Sequence, residues 1–390
     1  MSDAPPGLPL TLARACAWAL LVAGWVGIGS FSLRFAPNLA SALALVALWL
    51  LALGAAAALV TRGDMPRWSR GAALALAASA AATGLLASVR GGGLGAVLLA
   101  LLGWAMLTAL ASGVVRGLRM TQTQTPRPPI AAAAIGALCA GMVLGDPGDL
   151  QALAWRLALF VAAVALLLIG LQRPLAAGTP RPGCRAGLFD CSLPAWPAGA
   201  WRDTGQWPIL LAGLAMLPMM AALPLMADWC RTAQVPPQLM VMLHIGAMFG
   251  PAWLLQGTMA RGSPQLLATV CALLLAAGAA AALWAPAPWD LLTLAAAHGA
   301  AWGLAWGGQL WAPARRGQQG RSPLRAAAGY AVLTLLFGGL VQEAGARGVT
   351  VVHAMLGLVA LLAWGWSAVG DQRLRSSAEP RATTEASNES

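Results

Sequence analysis

Residues 206–256 read QWPILLAGLAMLPMMAALPLMADWCRTAQVPPQLMVMLHIGAMFGPAWLLQ. Two apolar runs, Gln206–Asp228 and Val235–Gln256, flank a turn that carries Asp228, Trp229, Cys230 and Arg231. Each run is long enough for a helix to cross a hydrocarbon core of roughly 30 Å. Lipid offers no partner to a backbone N–H or C=O, so each crossing must close its own hydrogen bonds as a helix. The stretch therefore predicts a transmembrane hairpin. Met216 and Met220 are four residues apart in it, and so are His244 and Met248. On a helix that spacing stacks two side chains on one face. Met220 and Met216 lie 8 and 12 residues from Asp228, and His244 and Met248 lie 9 and 13 from Val235. At the helical rise this puts both pairs at matching depths, roughly 12–14 Å and 18–20 Å from the outer turn. Three thioethers and one imidazole are thus expected to converge near the bilayer midplane without a carboxylate.

The rest of the chain repeats this character. Of its 390 residues, 59% are hydrophobic and only 9% charged, and the mean hydropathy is +0.71. Apolar runs recur at 11–31, 38–60, 71–89, 92–115, 129–145, 151–171, 206–228, 235–256, 265–285, 288–310, 323–342 and 350–370. These predict an all-α integral membrane protein with twelve transmembrane helices. The first run is too long, and too well followed by others, for a cleaved signal peptide. The longest polar interruption, residues 172–205, divides the spans six and six. The organisation read from it is an N-terminal bundle over 1–171, a cytoplasmic linker over 172–205, a C-terminal bundle over 206–371 and a disordered cytoplasmic tail over 372–390.

Orientation follows from arginine, the only basic residue apart from histidine. One alternating set of loops, with the two ends, holds nineteen arginines, among them Arg62, Arg67, Arg70, Arg116, Arg119, Arg261, Arg315 and Arg316. The other set holds five: Arg34, Arg90, Arg156, Arg231 and Arg347. Positive charge stays on the cytoplasmic side, so both termini are expected there and the Cys230 turn faces outward. The formal charge of +11 is spread over these loops and forms no soluble basic module, which excludes a nucleic-acid partner.

Twelve spans split six and six, with both ends inside, resemble the major facilitator superfamily. Arg62-Gly63-Asp64-Met65-Pro66-Arg67-Trp68-Ser69-Arg70 looks like a degraded form of that family's acid-and-basic loop. Gly257-Thr258-Met259-Ala260-Arg261-Gly262 looks like its second copy. Gly141, Gly145 and Pro147 are similar to the family's Gly/Pro-rich fifth helix, and Trp155, Arg156 and Phe160 resemble the opening of its sixth. The resemblance implies two six-helix bundles that rock about a site near the midplane.

Ionisable groups at membrane depth are functional candidates, because each is costly without a partner. Arg34, Arg90, Arg156, Asp228, Asp290 and Glu343 fall at outer ends and read as interfacial charges. His298 and His353 read as helix–helix hydrogen bonders, His298 beside Trp302, Trp306 and Gln309. A hard cation would demand oxygen ligands. A neutral set of sulfur and imidazole suits a soft monovalent ion such as Cu(I). His244 must be neutral to ligate, so binding should weaken as pH falls through the ordinary imidazole range near about 6.5. The competing reading of methionine is packing, which is the role assigned to Met219, Met226, Met240 and Met242. Pro218, Pro224 and Pro251 should loosen the helices around the two pairs. Cys16, Cys139 and Cys271 read as core residues, and Cys184 and Cys191 share a polar loop without a zinc spacing.

Met216-Leu-Pro-Met-Met220 and His244-Ile-Gly-Ala-Met248 resemble the paired motif of the CcoA-like copper importers, a branch of the same superfamily. That resemblance implies copper uptake across a bacterial inner membrane, toward assembly of a cbb-type cytochrome oxidase, and Cys230 fits a thiol on the path. The expected metal ligands are Met216, Met220, His244, Met248 and Cys230, with copper as cargo and no resident cofactor. The expected partners are the ion, the bilayer and a periplasmic or cytoplasmic copper chaperone, around a monomeric chain. Two other readings stay open: a permease or proton-coupled exporter of a small organic molecule, and a non-transporting assembly factor of the same fold. No nucleophile–base pair or phosphate loop appears, so the chain is not expected to be an enzyme.

Overall fold

A computed structural model of the chain describes residues 8–36, 38–62, 67–121, 129–144, 149–172, 207–255, 264–311 and 323–378. Its elements are all helices: α1 (Leu8–Phe35), α2 (Leu39–Arg62), α3 (Arg67–Val89), α4 (Gly93–Thr121), α5 (Pro129–Leu144) and α6 (Leu150–Leu171) come first. Then follow α7 (Trp207–Leu214), α8 (Met216–Thr232), α9 (Pro237–Leu254), α10 (Pro264–Trp284), α11 (Trp289–Trp311) and α12 (Pro323–Ala378). Cys184 and Cys191, Gly145 and Pro147, the Gly63–Pro66 and Gly257–Gly262 loop residues and positions 379–390 lie outside the described residues. Among the described residues, eight stretches are long and apolar enough to cross a membrane, and the bent pair Trp207–Met219 with Pro224–Thr232 adds a ninth. Leu76, Leu159, Leu166, Leu336 and Leu362 stand exposed on helix faces, as lipid-facing residues do. The chain is a multi-pass membrane protein.

Two expected boundaries come out differently. The run 206–228 is one apolar stretch in sequence but is broken in space: Trp207–Met219 and Pro224–Thr232 are bent by 62° to each other. α7 stops at Leu214, four residues before Pro218. A proline ring clashes with the carbonyl four residues back and lacks an N–H, so the ladder is weakened before Pro218 and again before Pro224, where the bend falls. Pro224 then sits inside α8. The runs 323–342 and 350–370 are joined as the two limbs of α12, which meet at Gly345 (φ 60°, ψ −151°). That backbone state is close to forbidden for any residue with a Cβ, so glycine makes the corner.

Packing repeats between the halves. Take α7 with α8 as one broken helix and cut α12 at Gly345. In the first half α3 packs on α4 and α6, α1 on α4 and α5, and α2 on α4. In the second half α10 packs on α11 and on α12, α7 on α11, α7 and α8 on α12, and α9 on α11. The halves join by α2 against the first limb of α12 and by α5 against α9, again a related pair. The first half has its own buried core from α1, α3, α4, α5 and α6, around Leu74, Leu107 and Leu157. The second has a smaller one around Leu275, Ala301 and Leu304. Between them lies a third cluster that draws on both halves, including Trp18, Trp49, Met216, Met248, Trp302 and Trp306.

The crossings depend on small residues. A Cβ on Gly136 of α5 would run into the Ala15 backbone, and one on Gly357 into Ala276. On Gly303 of α11 it would collide with the Met248 carbonyl of α9. A Cβ on Gly246 meets nothing within 4 Å. Gly303→Val should therefore destabilise the purified protein by about 1–3 kcal/mol, the usual cost of overpacking. Gly246→Ala should be neutral or slightly stabilising. Thermal unfolding of the two variants in detergent checks both outcomes.

Candidate functional site

The Met/His motif residues sit where the halves meet. Met216 opens α8 directly after Ala215, one turn before the bend, and Met248 lies in the C-terminal half of α9. Both are buried and belong to the largest apolar cluster drawn from both halves. The expected hairpin packing does not hold, because α8 lies mainly against α12 and α1 and touches α9 only slightly. The bend between Met219 and Pro224 turns the rest of α8 away, and Met216 and Met248 share the central cluster rather than a closed hairpin. Met220 is part of α8, but its side chain lies outside the described residues. Cys230 is fully buried near the outer end of α8, in a separate cluster with Met219, Val235 and Met240. Its carbonyl accepts the Val235 N–H at 2.8 Å, where the chain turns with Gln234 at φ 56°. Asp228 and Arg231 pair at 3.1 Å on the exposed side of this turn, as interfacial charges would.

All three histidines of the chain meet in the second half. The His244 ring of α9 stacks on His298 of α11, with centroids 5.1 Å apart and planes 10° apart. His298 meets His353 of α12 edge to face, with centroids 4.9 Å apart. Gly299 makes room for this: a Cβ there would lie 2.8 Å from the His244 carbonyl and 3.2 Å from its Nδ1. Sequence reading left His298 and His353 as isolated helix–helix bonders. They are bonded, and to each other, which no spacing along one helix could reveal.

Hydrogen bonding fixes the ring tautomers. A backbone carbonyl only accepts, so a neutral ring next to one must present its N–H. His353 Nδ1 lies 2.7 Å from the Val349 carbonyl and therefore donates to it. Its Nε2 is then an acceptor, and His298 Nδ1 donates to it at 3.0 Å. The lone pair of His298 falls on Nε2, which is buried without a partner. His244 Nδ1 donates to the Ala295 carbonyl at 3.1 Å, which leaves its lone pair on Nε2 as well. Near-parallel rings aim these two lone pairs along parallel planes, so as they stand they do not grip one ion between them. No group of three or more His, Cys, Asp or Glu able to hold a metal occurs among the described residues.

The neighbourhood is aromatic. Trp18 of α1 meets Phe249, Trp302 and Trp306 edge to face, with centroids 5.4, 6.4 and 5.2 Å away. These contacts cross from one half to the other and close the space between them. Trp25 and Trp49 form a further edge-to-face pair at 6.1 Å. The indole N–H of Trp104 is satisfied by the Leu20 carbonyl at 2.7 Å. Those of Trp25, Trp49, Trp302 and Trp306 are buried without an acceptor.

No protein-family model matches the chain, and no curated protein matches it by sequence. Solved structures match along nearly all of its length. A POT family transporter in complex with a thioalcohol-conjugated peptide aligns at TM-score 0.60 and 12% identity, over 94% of this chain and 96% of the other. The nucleoside transporter NupG aligns at 0.57 and 15%, over 93% and 99%. The E. coli fucose:proton symporter FucP aligns at 0.50 and 12%, over 93% and 99%. The chain thus has the fold of major facilitator superfamily transporters.

At neutral pH all three histidines should be Nδ1–H tautomers, whereas imidazole free in water favours Nε2–H. Selective ¹⁵N-histidine labelling gives only three residues to resolve, and the Nδ1 and Nε2 shifts of purified protein check this directly.

Proposed function

We propose that the chain is a secondary transporter with twelve spans and cytoplasmic termini, placed in a bacterial inner membrane, and that its cargo is copper. The observation that carries this reading is the burial of Met216 and Met248 in the cluster shared by both halves. His244 lies one turn before Met248 on the same helix. A thioether has no proton to lose and no charge to bury, so it binds a soft monovalent ion without leaving a net negative site in lipid. His244 offers its neutral Nε2, because the Ala295 carbonyl holds the proton on Nδ1. Met220, one turn after Met216 on α8, would supply the third sulfur. Cys230, with Met226 packed against the same outer cluster, would receive the ion before it descends. Delivery toward cytochrome oxidase assembly, through a chaperone, is part of this reading.

Movement would follow from the fold. The two halves meet at α2 with α12 and at α5 with α9, and rocking about these seams would open the central cluster to one side at a time. The bend between Met219 and Pro224 lies one turn beyond Met216, where the helix could flex without unwinding as a whole.

The test is Cu(I) uptake into proteoliposomes under reducing conditions, read by metal analysis. Met216→Leu and Met248→Leu conserve volume and should fold, yet each should lower uptake by roughly tenfold or more, as loss of a metal contact does. His244→Gln should act similarly. Uptake at wild-type rate in all three variants would remove copper as the cargo.

A further inference from the structure

α11 carries a stripe of three residues at i, i+4 and i+8: His298, Trp302 and Trp306. Such residues share one helix face. They are only 1, 1 and 2% exposed, and each has a polar ring atom without a partner. His298 brings a bare acceptor, Nε2, because its Nδ1 proton is committed to His353. Trp302 and Trp306 each bring a bare N–H donor, and their rings are stacked 6.0 Å apart at 6°. Across the cluster Trp49 of α2, 1% exposed, adds another unmatched donor. A buried donor or acceptor left unmade is costly, and native proteins rarely keep several side by side. Trp104 shows that an indole in this fold can find a helix carbonyl. A bare copper ion leaves all of this unexplained, since a cation has no use for N–H donors.

We infer that this stripe binds a small organic carboxylate carrying a hydroxyl or amino group beside the carboxylate. The carboxylate would accept from the Trp302 and Trp306 N–H groups, and the neighbouring hydroxyl or amine would donate to His298 Nε2. His298 and Trp302 are four residues apart, about 6 Å along the axis, which two hydrogen bonds and a two-carbon unit can span. The site lies in the cluster that Trp18 closes from the first half, so the ligand enters when the halves part. Trp18, Phe249 and the stacked indoles give it apolar walls. The inference rests on the transport reading of the fold and not on copper. The same class of molecule also chelates copper, so the ligand could travel alone or with the ion.

The test uses full-length protein in nanodiscs and isothermal titration calorimetry. Glycolate, lactate, glycine and alanine are the probes, acetate is the acceptor-only control and ethylamine the donor-only control. At least one probe should bind more than fivefold tighter than either control. Trp302→Phe and Trp306→Phe keep an aromatic ring and remove the N–H. Each should weaken that probe roughly tenfold, the worth of a hydrogen bond to a charged group. His298→Phe should erase the preference of wild type for the probe over acetate. If all four probes fail to bind wild type, or acetate binds as tightly as they do, the inference is overturned. It is also overturned if both tryptophan variants, folded by thermal unfolding, keep wild-type affinity. Cu(I) titrated alone is the separate arm: its failure to bind while a probe still binds removes copper and leaves this site standing.

Discussion

In hydrocarbon, burying leucine against leucine gains little over burying it against lipid, so helices associate where their backbones can approach closely. That constraint organises this protein. Gly136 against Ala15, Gly303 against the Met248 carbonyl and Gly357 against Ala276 are places where a single added carbon would push helices apart. Gly299 belongs to the same set and has a chemical consequence. By letting α9 and α11 close on each other, it brings the His244 ring onto His298 and the Ala295 carbonyl within reach of Nδ1. Backbone packing thus decides where imidazole protons sit.

The midplane of this chain holds no described carboxylate, and its polar capacity comes from uncharged rings. Of the three imidazoles, His298 and His244 keep a lone pair on Nε2, and the unmatched indoles around them expose donors. Sulfur from Met216 and Met248 lies in the same cluster as those indoles. The copper reading uses the sulfur and one lone pair, and the carboxylate inference uses the donors and another. Neither puts a fixed charge on the protein at this depth, where an unpaired ion would cost far more than a neutral group; any charge arrives with the ligand.

Much of the fold was legible before any coordinates. Long apolar runs with polar gaps admit only helices, and the repeat of spans about the 172–205 gap anticipated halves whose helix pairings recur. The prolines near Met216 announced a weak point. Where the chain would bend was another matter: it bends between Met219 and Pro224, which depends on what packs around those residues. The join of the last two spans at Gly345 was missed, since the polar residues before it look like a loop in sequence.

The candidate site was half legible. Spacing of four placed Met216 with Met220 and His244 with Met248, because helical geometry is local and the chain alone dictates it. The clustering of His244, His298 and His353, separated by 54 or more residues along the chain, was not legible, nor was the loss of partners at Trp302 and Trp306. Sequence determined what is apolar, what is helical and which residues share a face. Tertiary structure decided which faces meet and which hydrogen-bonding atoms stay unmatched, because those depend on contacts between helices at distances no local rule encodes.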